Sequence, residues 1–415
     1  MKSYKYVILG GGVAAGYAAR TFVEKHGQPG ELCIVSADDT LPYERPPLTK
    51  GYLAGKKEAK SILINSREFY EEHGIDILLN TPVEEVDTHD RLLILQSGDS
   101  IEYASLMIAT GATPRHLDVP GCLLNGIYYM RTFDDAHMIC TKSKTARRAV
   151  VIGGGFIGME TAATLTGRGL DVTLVFPEDR VWKKVFTPEM SAFFEKYYRR
   201  KGVRLLSGAS IVGFEGHNDH VTRVLFDMED PVEADIVVAG IGVELVTDIV
   251  EGSGISVRHG IVVDEYLTTS VKEVYAVGDV AEYYDVIFDK RRNIEHWDNA
   301  VAQAQCAMES MMGTQRAFVH VPYFFSDVFD LSYEFWGDTS GADEIVYRGD
   351  PTTKSFSVWW LKDQILVAAF IMNRPDEERE AVPEWIECLQ KLSSEALRDT
   401  SQPIAEAVMA GEKVD

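Results

Sequence analysis

The chain is poor in usable cysteine. Cys33, Cys122, Cys140, Cys306 and Cys388 are scattered along 415 residues, with no C-x-x-C or C-x4-C spacing among them. That excludes a thiol relay through a redox-active disulfide, and an odd count without a framework suits a reducing compartment. Cys33, inside the apolar run Leu32-Cys33-Ile34-Val35, is expected to be buried and inert. Long apolar runs are missing too: none reaches the ~20 residues that span a bilayer, so no membrane span is expected. Lys2 and Lys5 lead straight into a strand pattern and a glycine turn, which does not read as a signal peptide. Positive charge is in deficit, with 41 Lys and Arg against 64 Asp and Glu and a net charge of -23. An acidic surface of this kind excludes nucleic acid as a partner. Local basic clusters at Lys142 to Arg148, Arg199-Arg200-Lys201 and Lys290-Arg291-Arg292 leave room for an acidic protein partner. The length exceeds one compact core, so two or three domains are expected, in a cytoplasmic chain.

Glycine, in contrast, is placed with purpose. Gly10-Gly11-Gly12-Val13-Ala14-Ala15-Gly16 follows the apolar run Tyr6-Val7-Ile8-Leu9, and Gly153-Gly154-Gly155-Phe156-Ile157-Gly158 follows Ala149-Val150-Val151-Ile152. Each loop precedes a helix-compatible stretch, the context a dinucleotide fingerprint requires. Glycine there allows a tight turn, close backbone approach to a pyrophosphate, and helix N-terminal amides facing negative charge. Ala15 holds the third position of the first loop; the second has all three glycines, Gly153, Gly155 and Gly158. Two such loops predict two ligands, a flavin dinucleotide and a nicotinamide dinucleotide.

The ribose acceptors follow from the second strand of each fold. Asp38, after Glu31-Leu32-Cys33-Ile34-Val35, is the candidate in the first fold, against the alternative of a solvated loop carboxylate. Glu178, after Asp171-Val172-Thr173-Leu174-Val175, falls about 20 residues past Gly158 and favours NADH; Arg180 leaves NADPH as the lesser alternative. The proline-stiffened segment Leu41-Pro42-Tyr43-Glu44-Arg45-Pro46-Pro47-Leu48-Thr49-Lys50 presents Arg45 and Lys50 as cations for a flavin. Leu106-Met107-Ile108 runs into Ala109-Thr110-Gly111, Ile236-Val237-Val238-Ala239 into Gly240-Ile241-Gly242, and Val274-Tyr275-Ala276-Val277 into Gly278-Asp279.

The paired fingerprints with the A-T-G and G-D motifs resemble the two-dinucleotide flavoprotein reductase superfamily. Pro42 to Lys50, Glu295-His296-Trp297-Asp298-Asn299-Ala300 and Pro322 to Asp330 narrow the resemblance, over most of the chain, to one branch. It contains monodehydroascorbate reductases, ferredoxin and rubredoxin reductases, and apoptosis-inducing factor. The resemblance implies an α/β fold with two Rossmann-like dinucleotide-binding domains, for FAD and NAD, and a C-terminal α+β domain. The expected bounds are 1-113 with 246-318 for FAD, 114-245 for NAD(P)H, and 319-415 for the third domain. It implies an FAD site of Gly10, Gly12, Ala14, Ala15, Asp38, Arg45, Lys50, Val83, Ala109, Thr110, Gly111, Arg131, Gly278, Asp279, Glu295, His296 and Trp297. The implied NAD(P)H site is Gly153, Gly155, Phe156, Ile157, Gly158, Glu160, Glu178, Gly240, Ile241 and Gly242. No metal is implied.

By the same resemblance Lys50 lies near flavin N5 and pairs with Glu160, either as a structural salt bridge or to tune the flavin, and Trp297 packs near the rings. Hydride then passes from NADH to FAD and electrons leave singly to an external acceptor. A small electron-transfer protein, ferredoxin or rubredoxin, is favoured. A small organic radical such as monodehydroascorbate is the alternative, and an NADH-binding redox sensor resembling apoptosis-inducing factor is the alternative of another class. Val301 stands where plant monodehydroascorbate reductases carry an arginine for the acceptor, and Trp336 near where they use a tyrosine. The expected assembly is a monomer or homodimer. Phe356 to Leu361 and Ile365 to Phe370 read as a hairpin, the stretch from Asp376 as helical and acidic, and Gly411 to Asp415 as frayed.

Overall fold

A computed structural model describes residues 2-409, so the expected frayed end, 411-415, lies outside the described residues. The chain divides into two compact units. One comprises the residues up to Arg45, Glu58–Thr113 and Val243–Pro322; the other comprises Pro46–Lys57, Pro114–Gly242 and the residues from Tyr323 onward.

The first unit is built on a seven-stranded sheet. Its parallel part runs Asp76–Leu78, Leu32–Val35, Lys2–Leu9, Ser100–Ile108, with Val274–Ala276 beside the last of these. Val83–Asp87 and Leu92–Leu95 extend it antiparallel. The parallel strands are apolar on both faces, as a sheet covered on both sides demands: Val7, Ile8, Leu32, Cys33, Ile34, Val35, Leu106, Met107 and Ile108 are fully buried. Register aligns Leu9 with Val35 and Ile108, and Ile108 with Ala276. The chain therefore leaves all four strands at one level.

The second unit repeats this plan. Five parallel strands lie in the order Arg204–Ser207, Asp171–Phe176, Arg148–Ile152, Ile236–Ala239, Ile127–Tyr129, with Ile152 level with Val175 and Ala239. It also holds an antiparallel five-stranded sheet in the order Tyr323–Val328, Leu331–Gly337, Ile365–Met372, Phe356–Lys362, Glu344–Gly349. The hairpin expected from the sequence is present there. Asp363 and Gln364 take φ of +51° and +69°, the double left-handed turn that suits strand twist. Helices Asp376–Glu387 and Ser394–Arg398 follow. Among the described residues no helix is long and apolar enough to cross a membrane.

Two groupings differ from the expected bounds: the residues from Tyr323 onward fall in one unit with the second dinucleotide fold, and one segment of the first fold changes unit. Pro46–Lys57, placed by sequence in the first fold, packs in the second unit. The helix that follows the second glycine loop, Phe156–Gly167, holds it. Glu160 and Thr164 lie one turn apart on this helix, and Arg168, its C-cap, follows at the same spacing. The Thr164 hydroxyl donates to the Thr49 carbonyl (2.7 Å), and the Arg168 guanidinium donates to the Leu53 carbonyl (2.8 Å). Glu160 takes the Thr49 hydroxyl.

Candidate active site

The two glycine loops are the same device, built twice. Gly10 and Gly153 have φ of +121° and +118°, and a Cβ on either would stand 2.2 Å from a carbonyl oxygen, of Ala109 and Gly240 respectively. Only glycine can make that turn. The second glycine of each motif is different. Gly155 has nothing within 4 Å of its Cβ position, and Gly12 has only the Arg45 guanidinium, at 4.0 Å. Gly12 and Gly155 are also the N-caps of helices Val13–Glu24 and Phe156–Gly167, and a glycine has no side chain with which to cap the first amides. Each loop thus leaves a cradle beside helix N-terminal amides, which fits a pyrophosphate. The third position closes the motif: Ala15 is fully buried, and a Cβ on Gly158 would lie 1.9 Å from the Gly153 carbonyl oxygen.

Other expected residues gather at the same sheet edges. In the first unit Asp38, Ala109-Thr110-Gly111 and Gly278-Asp279 all follow strands that end level with Leu9. Asp38 is exposed, and the Thr110 hydroxyl is tied to the Val246 carbonyl at 2.9 Å. Val83 lies off this edge, half-buried on the antiparallel extension. In the second unit Glu178 and Gly240-Ile241-Gly242 follow strands level with Ile152, and Arg131 follows Ile127–Tyr129. Ligands of open α/β sheets bind outside the carboxyl ends of the strands, where these residues lie. Arg180, the candidate partner for a 2′-phosphate, is turned into its own loop. It donates to the carbonyls of Lys183 (3.2 Å) and Phe186 (3.4 Å).

Lys50 and Glu160 form an ion pair in the second unit, Nζ to Oε1 2.7 Å, with side chains 16% and 6% exposed. The carboxylate also accepts from Thr49 through Oε2 and from Ser326 through Oε1 at 2.5 Å. Three donors offset the cost of holding a charged carboxylate away from water. In the first unit Trp297 opens helix Trp297–Met311, with His296 as its N-cap and Glu295 exposed just before. The Trp297 indole N–H donates to Glu44, which also accepts from the Tyr17 hydroxyl at 2.7 Å. Burial first, then the Glu44 carboxylate, push the Tyr17 phenol up to about 12, so it remains a donor. Phe156 packs edge-on against Phe324, with ring centroids 4.3 Å apart.

Sequence reasoning did not assign Tyr17, Glu44, Thr49, Ser326, Thr164 or Arg168. Ser326 alone left a usable signal, a polar residue at a core-facing strand position between Phe324 and Val328. All five cysteines are free. Burial, reinforced by Asp76, pushes the Cys33 thiol up to about 12, the opposite of an activated thiolate.

Two dinucleotide cradles on two Rossmann-like folds, without a disulfide, define a flavoprotein that oxidises NAD(P)H with FAD as its cofactor. Residues 4–304 match the pyridine nucleotide-disulphide oxidoreductase family, and residues 323–408 match the reductase C-terminal family. The chain belongs to the former. It is 37% identical over 404 residues to a monodehydroascorbate reductase of Solanum lycopersicum, covering 92% of this chain and 93% of that one. A monodehydroascorbate reductase of Cucumis sativus is 38% identical with the same coverage. Among solved structures, putidaredoxin reductase in its covalent complex with putidaredoxin superposes with a TM-score of 0.93 at 32% identity, covering 98% of both chains. A ferredoxin reductase of Rhodopseudomonas palustris superposes with a TM-score of 0.92 at 31% identity, over 99% of this chain and 100% of that one.

Proposed function

We propose that this enzyme takes hydride from NADH and passes electrons singly to a small iron–sulfur or rubredoxin-type protein. The bound flavin supplies the chemistry that joins a two-electron donor to a one-electron acceptor. The residues hold and orient. Gly10, Gly12, Ala14 and Ala15 would seat the FAD pyrophosphate, with Arg45 as countercharge. Asp38 would take its ribose; Ala109, Thr110, Gly111, Gly278 and Asp279 would line the same edge. Gly153, Gly155 and Gly158 would seat the NADH pyrophosphate, with Phe156, Ile157 and Gly240 to Gly242 beside it.

Glu178 would accept from the ribose 2′-hydroxyl. Arg180, engaged with its own loop carbonyls, supports NADH over NADPH. Lys50, held by Glu160, would present a fixed ammonium to the flavin, and Trp297, oriented by Glu44, would exclude water from the rings. The five free thiols suit a reducing compartment such as the cytoplasm.

The observation that carries the choice of acceptor is Val301, half-buried on helix Trp297–Met311. It supplies no cation for an anionic radical. The identity to monodehydroascorbate reductases over nine-tenths of the chain supports the second reading, an organic radical acceptor. Enzyme reduced by one equivalent of NADH is mixed in stopped flow with a ferredoxin, a rubredoxin, or enzymatically generated monodehydroascorbate. The expected result is reoxidation by an iron–sulfur or rubredoxin protein at least tenfold faster than by the radical, and slowed by salt. The reverse ranking establishes the second reading, and a reduced enzyme that survives every acceptor favours a sensor.

A further inference from the structure

The Lys50–Glu160 pair is completed from an unexpected place, the first strand of the C-terminal sheet. Ser326 is fully buried, and Glu160 is only 5% exposed. Strand Tyr323–Val328 puts Phe324, Ser326 and Val328 on one face by its period of two, and packing alone would favour an apolar residue at the middle position. Its cross-strand partner is Tyr333, also fully buried, whose phenol burial holds well above the usual range. A hydroxyl in such surroundings needs a partner, and it finds one in Glu160 Oε1 at 2.5 Å. The same oxygen receives Lys50 at 2.7 Å, and the neighbouring Phe325 ring lies 5.8 Å from the Lys50 ammonium.

We propose that Ser326 is a positioning residue: it fixes the Glu160 carboxylate, and through it the orientation of the Lys50 ammonium. The inference rests on the role proposed above for Lys50. The terminal torsion of a glutamate is broad, so a carboxylate held through one oxygen can swing. Ser326 on Oε1 and Thr49 on Oε2 pin both oxygens. Removing the serine hydroxyl frees the oxygen that carries Lys50. Misplacement of a positioned group by ~1 Å costs up to ~100-fold in rate, and the loss of one of three donors is expected to cost about tenfold.

The test compares Ser326→Ala, Ser326→Thr, Lys50→Met and the Lys50→Met/Ser326→Ala double variant in full-length, flavin-loaded enzyme. The readouts are the limiting rate and half-saturation of flavin reduction by NADH, the flavin midpoint potential, and the melting temperature of the same flavin-loaded enzyme. Ser326→Ala should slow the limiting rate about tenfold and move the midpoint potential in the same direction as Lys50→Met. Its half-saturation should stay within about twofold of the wild type. Ser326→Thr, which keeps the hydroxyl, should recover most of the rate. In the Lys50→Met background the alanine should add less than about twofold, because both changes act through one group.

A wild-type rate and potential in Ser326→Ala overturns the inference, as do independent, multiplying losses in the double variant. A Lys50→Met variant with wild-type rate and potential overturns the Lys50 reading itself, and this inference with it. Loss in Lys50→Met without loss in Ser326→Ala overturns the Ser326 role alone.

Discussion

Replacing Gly155 with alanine separates folding from cofactor binding. The residue sits at φ -90° and ψ -169°, extended backbone that alanine adopts freely, and nothing lies within 4 Å of the new Cβ. Reduced freedom of the unfolded chain would stabilise the variant by about 0.4–1 kcal/mol, and alanine's poorer standing at an N-cap offsets a similar amount. The expected change in stability is therefore within about 1 kcal/mol, or roughly 2 °C in melting temperature. The methyl group, however, occupies the open space beside the helix amides. It would displace a pyrophosphate from one charge-assisted hydrogen bond, a loss of about 1.5–3 kcal/mol, or ~10- to 150-fold in affinity.

Gly153→Ala is the contrasting case. With φ +118° and a Cβ 2.2 Å from the Gly240 carbonyl oxygen, it should cost about 3 kcal/mol or more of stability. The assay is titration of the flavin-loaded enzyme with NAD+, with flavin content from absorbance and stability from thermal melting. Retention of wild-type NAD+ affinity by Gly155→Ala, or its unfolding alongside Gly153→Ala, would refute the geometric reasoning.

Glu178→Ala should weaken NADH binding by about tenfold, the loss of one hydrogen bond to a charged group, with flavin content unchanged; equal loss of both cofactors would contradict the assignment of the second fold. On helix Asp376–Glu387, Glu378 is 2% exposed and accepts from Arg348 (2.8 Å), Arg374 (2.6 Å) and Ser357 (2.8 Å), while Arg348 also caps the carbonyls of Leu397, Asp399 and Gln402. Burial alone would raise the Glu378 carboxyl, but the two guanidinium groups and the serine outweigh it and hold it below the ordinary value. A depressed folded-state value contributes stability above the unfolded pKa of ~4.3 and loses it as pH falls through the folded value. Glu378→Gln should therefore cost about 3–5 kcal/mol at neutral pH in urea unfolding and show a shallower loss of stability below pH ~4 than the wild type.

The glycine loops are legible in the sequence because everything they require is local. A β-branched strand, a turn with forbidden dihedrals and a helix start lie within a dozen or so residues of Gly10 and of Gly153, and each leaves its mark on the residues beside it. The level strand ends that gather Ala109 to Gly111, Gly240 to Gly242 and Asp279 follow from the same parallel-sheet logic.

Packing alone decided the rest. The Trp297 indole meets Glu44 across 253 positions, and Ser326 meets Glu160 across 166. Pro46–Lys57 departs from the fold its place in the chain suggests because Glu160, Thr164 and Arg168 grip its backbone and side chains from a helix more than a hundred residues away. Hydrophobic period and turn chemistry report only on near neighbours, whereas a hydrogen-bond partner is chosen by which surfaces close on each other once the sheets have formed.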